Sequence, residues 1–126
     1  MIQIEIIADS PKDLLEQIQE QIGGVVTEQW SEYTLKLNNK FGIGSIKFIP
    51  FDWGVNLLEF QIKFHEEIDL KIKSIESFNP IRFIYASKGS FKHRFGIHKE
   101  EKKVSQFESF IFTNKDGGTN HVIFPK

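Results

Sequence analysis

The side chains best suited to bind a metal ion or to exchange protons near neutral pH are the four histidines, His65, His93, His98 and His121. A metal site in a β-barrel usually takes two histidines two positions apart, because alternate strand residues share a face. Phe95 occupies the position two after His93. A site folded across a turn, from His93, His98 and Glu100 or Glu101, is the alternative that this spacing leaves open. We expect no bound metal and no other cofactor.

The familiar catalytic patterns are absent from the sequence. Without cysteine, the chain has no thiolate nucleophile, no disulfide and no cysteine-ligated zinc. No serine lies in a Gly-x-Ser-x-Gly elbow, and the run from Gly42 to Ser45 lacks the length and the lysine of a phosphate loop. His65, Asp69 and the glutamates between them are metal-ligand types, but adjacent strand residues point to opposite faces, which favours a solvated strand end. The chain is not predicted to be an enzyme.

Arg82 is the residue that most directly indicates a ligand site, because it lies within an apolar strand predicted from Ile81 to Ala86. An arginine there must reach solvent, a carboxylate or an anionic ligand group. Alternation favours an outward Arg82, with Ile81, Phe83 and Tyr85 on the buried face. The alternative is a polar contact inside an aromatic cavity, where the Tyr85 hydroxyl would also serve. The predicted ligand-binding residues are Trp53, Phe60, Arg82, Tyr85 and His93.

Composition limits the class of protein. A chain of 126 residues fits one domain with one core, and its 13 phenylalanines either fill a β core or line an apolar cavity. The net charge of -1 gives no general attraction to nucleic acid or to anionic lipid. No apolar run approaches the roughly 20 residues that span a bilayer, and Met1 to Ile7 has neither a basic leader nor a cleavage site. We expect a cytoplasmic protein with no membrane partner.

One helix is predicted near the start, from Pro11 to Ile22. It follows a strand of alternating isoleucines, and Ser10 as N-cap, Pro11 and Asp13 form a typical helix start. Gly23 and Gly24 provide the stop. The residues at helical spacing, Leu14, Leu15, Ile18 and Ile22, form an apolar stripe. Packing of this stripe within the chain is the favoured interpretation, and a dimer surface is the alternative.

The remainder of the chain has the pattern of short strands separated by turns, which is typical of a sandwich or a barrel. Lys88-Gly89-Ser90, between Phe83-Ile84-Tyr85 and Phe91-Lys92-His93, predicts a β-hairpin. The predicted strands are Val25 to Trp30, Tyr33 to Leu37, Gly44 to Phe51, Val55 to Phe64, Ile68 to Lys73, Ile81 to Ser87, Phe91 to Ile97, Val104 to Phe112 and His121 to Phe124.

Several segments resemble a known family. They are Phe41-Gly42-Ile43-Gly44-Ser45-Ile46, Trp53-Gly54-Val55-Asn56-Leu57-Leu58, Phe64 with Asp69-Leu70, Pro80-Ile81-Arg82-Phe83, Ser87-Lys88-Gly89-Ser90-Phe91-Lys92-His93 and Val122-Ile123-Phe124-Pro125. Together they cover about two-thirds of the chain, and they resemble the N-terminal cupin-like domain of AraC-family transcription regulators, particularly those of Bacteroidetes-like bacteria. The unit from Ile2 to Val26 is similar to the strand and helix that precede the barrel in that group.

The resemblance implies a mainly β fold, a cupin-like double-stranded β-helix barrel with an N-terminal strand-helix unit. Residues 1–126 would form a single sensing and dimerisation domain, with 1–26 as a strand-helix prelude and 27–126 as the barrel. Such a domain holds a small, partly apolar effector or dimerises, and we expect a homodimer. Enzymatic cupins carry a His-x-His arrangement that His93 and Phe95 do not match. DNA would be read only by a C-terminal helix-turn-helix domain outside this chain.

Two other functions compete with this hypothesis. A metal-dependent cupin enzyme would use the histidines and the nearby glutamates as ligands. A carbohydrate-binding β module would present Trp30, Tyr33 and Trp53 as a planar aromatic platform. The absence of a secretion signal weakens the carbohydrate-binding hypothesis.

Overall fold

The computed structural model describes residues 1–8, 11–51, 56–74, 81–95, 100–113 and 119–126. Within them the chain forms one helix and eleven strands. In chain order these are β1 (Ile2–Ala8), α1 (Pro11–Ile22), β2 (Val25–Gln29), β3 (Glu32–Asn39), β4 (Gly42–Pro50), β5 (Asn56–Phe64), β6 (Ile68–Ser74), β7 (Ile81–Tyr85), β8 (Phe91–Phe95), β9 (Lys102–Val104), β10 (Ser109–Thr113) and β11 (Thr119–Phe124).

The chain divides into two compact units. Unit 1 comprises residues Met1–Ile7 and Glu67–Pro125, and unit 2 comprises Ala8–Glu66 together with Lys126. Unit 1 contains a five-stranded sheet in the order β1-β6-β11-β8-β9 and a two-stranded sheet of β7 and β10. Unit 2 contains a four-stranded sheet in the order β2-β3-β4-β5, together with α1. The strand and helix predicted as one prelude therefore belong to different units.

In unit 2, α1 packs against β2, β3 and β4 through the stripe predicted from its spacing. Its four apolar residues are all buried within the chain, which excludes the alternative that this stripe forms a dimer surface. The helix ends where predicted, because Gly23 and Gly24 adopt φ angles of 79° and 103°. The Asn39 side-chain amide donates a hydrogen bond of 2.9 Å to the Ile22 carbonyl, which caps the last turn.

In unit 1, the register of β6, β11 and β8 separates the five-stranded sheet into two faces. Val122 lies opposite Leu70 on one side and opposite His93 on the other, so these three side chains share a face. That face also carries the buried Ile68, Ile72 and Asn120, and we call it the apolar face. His121 lies opposite Lys71 and Arg94 on the other side of the sheet, which we call the charged face.

The hairpin predicted around Gly89 is wrong. Gly89 adopts a φ of 78° in a tight reversal, but the strands on either side pair elsewhere. Strand β7 pairs with β10, whereas β8 pairs with β11 and β9. A reversal at a glycine favours a hairpin locally, but here hydrogen bonds to strands that are distant in sequence determine the pairing.

The strand predicted from Val104 to Phe112 is split into β9 and β10. The break contains Phe107, which has a φ of 68°, a conformation that a non-glycine residue rarely adopts. Its N–H donates to the Ala86 carbonyl at 2.6 Å, and the Glu108 N–H donates to the Ser105 carbonyl at 3.0 Å. The bond from Glu108 to Ser105 closes a turn, and the bond from Phe107 links that turn to the residue after β7. Alternation of apolar residues alone does not predict this turn.

The prediction of a mainly β fold is confirmed. The strands lie in three open sheets, and none of them closes into a barrel within the described residues. The cupin-like double-stranded β-helix therefore stays a prediction. No described helix combines the length and the apolar character needed to cross a membrane.

Candidate functional site

The feature of unit 1 best suited to bind a ligand is a pair of polar residues on the apolar face of the five-stranded sheet. Asn120 and His93 are only 1% and 2% exposed. Asn120 lies opposite Phe95, and His93 lies opposite Val122, so the two polar side chains are diagonal neighbours on adjacent strands. The register of β8 and β11 therefore brings these two hydrogen-bonding side chains together among apolar residues.

Asn120 has an unsatisfied acceptor. Its side-chain oxygen, Oδ1, is completely buried and has no hydrogen-bond partner among the residues that the structure describes. A buried acceptor without a partner costs about 1–3 kcal/mol, and such groups are uncommon in native proteins. A ligand hydroxyl or N–H directed at Oδ1 would recover this free energy.

Aromatic rings lie on the same face of the sheet as the polar pair. The ring of Phe95 packs edge-on against the ring of His93, with centroids 4.5 Å apart and planes at 82°. Phe91 and Phe124 form a second, tilted contact with centroids 6.3 Å apart. Phe91, Phe95 and Phe124 are all half-buried. Half-buried rings beside a buried acceptor have the composition of a ligand pocket, in which apolar walls surround a few polar groups.

The opposite, charged face carries a second buried polar pair, Asp69 and His121. The His121 Nδ1 atom lies 2.9 Å from Oδ1 and 3.1 Å from Oδ2 of Asp69, and both residues are buried. A hydrogen bond from Nδ1–H to the carboxylate fixes the ring orientation. The prediction that Asp69 lies at a solvated strand end is wrong, because Asp69 is buried and hydrogen-bonded to His121 of the neighbouring strand β11.

The rim of the charged face is formed by exposed ion pairs. The Lys71 ammonium lies 3.1 Å from the Glu5 carboxylate, and the Lys92 ammonium lies 3.5 Å from Glu101. The hydrogen bond from Lys71, and then its charge, lower the pKa of Glu5. Such pairs in solvent add little to stability. The charged face therefore has the properties of a solvated surface around one buried pair.

Two of the residues predicted to bind a ligand, His93 and Tyr85, lie in different environments. His93 lies on the apolar face as described. Tyr85 is exposed on β7, so its hydroxyl is not inside a cavity, and Phe83 is exposed beside it. The assignment of Phe83 and Tyr85 to a buried face is wrong, because the next residue, Ala86, is the buried one, and a shift of one residue inverts the faces.

Of the other three predicted residues, only Phe60 has a described side chain. Phe60 is half-buried on β5 of unit 2, where it lies opposite Ile46. Arg82 lies on β7 opposite Phe112, and its side chain is outside the described part of the structure. Trp53 lies outside the described residues. The roles predicted for these residues stay predictions.

Asn120 was missed by the sequence reasoning, although a signal for it exists. The strand predicted from His121 starts two residues later than β11, so Asn120 lies outside the predicted strand. With β11 beginning at Thr119, Asn120 alternates in phase with Val122 and Phe124. An asparagine in phase with two apolar residues of a strand indicates a buried amide.

The described residues contain no group of three or more histidine, aspartate or glutamate side chains arranged to hold a metal ion. His98 lies outside the described residues, and so does the site proposed across the turn from His93. His65, at the end of β5, is exposed, and its Nδ1 atom lies 3.2 Å from the Lys40 carbonyl.

Unit 2 contains an open depression of about 560 Å³, lined by residues 24–25, 36–39 and 43–45. It includes the Asn39 side chain, but that amide already donates to Ile22, and its oxygen accepts from the Phe41 N–H at 2.9 Å. The Asn39 side chain in this lining is therefore already satisfied.

No family model, curated protein or solved structure matches the chain.

Proposed function

We propose that this chain is a regulatory domain that binds a small, partly apolar molecule on the apolar face of the five-stranded sheet. The observation that carries the proposal is the buried Asn120 Oδ1, which has no hydrogen-bond partner among the described residues. A protein that maintains such an acceptor among half-buried phenylalanines loses stability in the free state. That free energy is recovered when a ligand supplies the donor.

The site also defines the kind of ligand. Asn120 Oδ1 requires a hydroxyl or an N–H group, and the rings of Phe91, Phe95 and Phe124 favour a flat apolar body. His93 offers a ring nitrogen that accepts or donates according to its tautomer. We therefore expect an aromatic or alicyclic molecule with at least one hydrogen-bond donor.

The arrangement of strands in unit 1 supports the cupin-like part of the proposal. Strands β6, β8 and β11 share one sheet, whereas β7 and β10, which lie between them in sequence, form another. Strands that alternate between two sheets are the pattern of double-sheet jelly rolls, the architecture that includes cupins. Together with the sequence resemblance, this pattern favours the sensing domain of an AraC-type transcription regulator.

In such a regulator the bound molecule would act on transcription through a change in population. An effector shifts an equilibrium only when it binds two conformations with different affinities. DNA would be contacted by a helix-turn-helix domain of the regulator, which needs a recognition helix in the major groove. Within the described residues α1 packs against the sheet of unit 2 and not against a second helix, so it does not form such a helix-turn-helix unit.

A thermal-shift screen against small aromatic and alicyclic metabolites tests the proposal. A ligand present at 100 times its Kd stabilises the native state by about 2.7 kcal/mol, which raises Tm by several degrees. We expect a hit whose effect is lost in Asn120→Leu and reduced in His93→Phe. Asn56→Leu, the same change at an exposed position of β5, is the matched control and should keep the full shift. A hit that persists in both site variants would place the site elsewhere.

A further inference from the structure

The two-stranded sheet of unit 1 exposes an apolar surface. In the antiparallel pair of β7 and β10, Phe83 lies opposite Ile111, and Tyr85 lies opposite Ser109, so these four side chains share one face. All four are exposed, and none of them is charged. We call these four residues the β7–β10 face. A strand pair normally turns its apolar side inward, so this exposure needs an explanation.

Phe107 adds to the exposed apolar area at the end of the same strand pair. It is exposed and has a positive φ of 68°, and its N–H is bonded to Ala86, the residue that follows β7. A left-handed conformation of a bulky residue costs about 1–3 kcal/mol, and such strain persists where the surrounding structure maintains it, often at functional sites. The chain thus holds a large aromatic side chain in water by means of an unfavourable backbone conformation.

The exposed apolar area approaches what an interface requires. Phe83, Tyr85, Phe107 and Ile111 have exposed fractions of 65%, 53%, 69% and 66%. At about 200 Å² for a large side chain, they expose roughly 500 Å² per chain, which is as large as the largest apolar patch of a typical monomer. Two such surfaces in contact would bury about 1,000 Å² in total, which is close to the lower limit of specific protein interfaces.

We propose that the β7–β10 face, with Phe107, is the contact surface for a second copy of this chain in a two-fold symmetric dimer. A two-fold contact brings the same surface of both copies together, so it must be complementary to itself. An uncharged face meets this condition, because no like charges oppose each other across the axis. Within the described residues β7 and β10 pair only with each other, so this face does not belong to a larger sheet.

The dimer deepens the regulatory role proposed above, since it names the surface where a second copy binds, but it rests on observations separate from the ligand site. An experiment that disproves the dimer therefore leaves the ligand site untouched, and the reverse also holds. Because buried area does not determine affinity, the dissociation constant has to be measured.

Sedimentation velocity of the whole chain over a range of concentrations tests the dimer. The matched variants are Ile111→Lys on the β7–β10 face and Ile43→Lys on β4, where Ile43 is 55% exposed. Both replace an exposed strand isoleucine with lysine, so both should fold, which circular dichroism checks. We expect a dimer in the wild type and in Ile43→Lys, and a dissociation constant raised at least about tenfold in Ile111→Lys, because each copy would carry a charged side chain into an apolar contact.

A spin label gives an independent measurement of the same contact. The chain has no cysteine, so Ser109→Cys and Ile43→Cys each provide a single labelling site. We expect concentration-dependent dipolar broadening between labels at position 109 and none at position 43. A wild type that stays monomeric at every concentration overturns the proposal. A dimer that Ile111→Lys does not weaken, or broadening only at position 43, also overturns it.

Discussion

Asn120 and Asp69 are both buried in the five-stranded sheet, but on opposite faces and with different partners. Asp69 is bonded to the His121 ring, whereas the Asn120 Oδ1 atom has no partner among the described residues. A satisfied buried polar group stabilises the fold or leaves its stability unchanged, and an unsatisfied one lowers it. The Asp69–His121 pair therefore has the properties of a structural contact, whereas Asn120 has those of a ligand-binding residue.

Replacement of Asn120 tests this difference through stability. Asn120→Leu keeps the approximate volume and removes the unsatisfied acceptor, so we expect the free energy of unfolding to be unchanged or to rise by up to about 1 kcal/mol. Urea denaturation of the ligand-free chain provides the measurement. A loss of more than about 2 kcal/mol would mean that the amide is hydrogen-bonded in the free protein.

Replacement of Asp69 should have the opposite effect. Asp69→Leu leaves the buried Nδ1–H of His121 without an acceptor, which we expect to lower the free energy of unfolding by about 1–3 kcal/mol. Glu5→Gln, which removes the charge of an exposed ion pair on the same sheet, is the control and should change stability little. Equal effects of the two substitutions in urea denaturation would contradict the structural role of Asp69.

At the residue scale, the sequence predicted His93 as a site residue, but it missed Asn120 and misassigned Asp69. The type and spacing of histidines are visible in a sequence. Which asparagine or aspartate is buried depends on what covers each face of the strand, and that depends on pairing between residues about 50 positions apart, such as Asp69 and His121.

The turn between β2 and β3 is the element with the least suitable residues for its conformation. Trp30 and Ser31 have φ angles of 54° and 61°, the pattern of a two-residue type I′ turn, which favours asparagine and glycine. Trp30 is also almost fully exposed. We expect the double substitution Trp30→Asn and Ser31→Gly to raise the free energy of unfolding by about 1 kcal/mol. A decrease in urea denaturation experiments would show that Trp30 makes a stabilising contact.

Strand β4 depends on a glycine for its close approach to β5. Gly44 has a φ of 143°, and a Cβ there would clash with the Gln61 carbonyl and lie 2.5 Å from the Ile62 Cα. We expect Gly44→Ala to lower the free energy of unfolding by more than about 2 kcal/mol. Gly89→Ala is the control, because Gly89 also has a positive φ but no atom lies close to its Cβ position. We expect this variant to lower the free energy of unfolding by about 1 kcal/mol. Similar losses for both variants would argue against the close approach.

At the element scale, local signals were sufficient for the helix and insufficient for strand pairing. The predicted helix matches α1 from Pro11 to Ile22, because its stop residues and its apolar stripe are all close in sequence. The hairpin predicted around Gly89 is wrong, because β8 pairs with β11, about 30 residues away. The turn at Phe107 was missed because its residues have no typical turn composition.

At the scale of the whole molecule, the sequence predicts a mainly β chain with a helix near its start, and the described residues confirm both. It did not predict the division into two compact units, because that division follows from the strand order, in which β1 joins β6 while the helix after it packs on β2 to β4. Strand order is determined by long-range pairing that a single sequence does not reveal. The proposed regulatory function rests on one buried acceptor and the phenylalanines on the same face of the sheet.

The most direct test of this function is a map of ligand-induced chemical shifts on the ¹⁵N-labelled chain, recorded with a hit from the metabolite screen. The proposed site predicts that the largest changes occur in β8 and β11, and that the side-chain amide of Asn120 shifts with them because its oxygen gains a donor. Changes confined to residues 24–25, 36–39 and 43–45, around the depression of unit 2, with an unmoved Asn120 amide would contradict it.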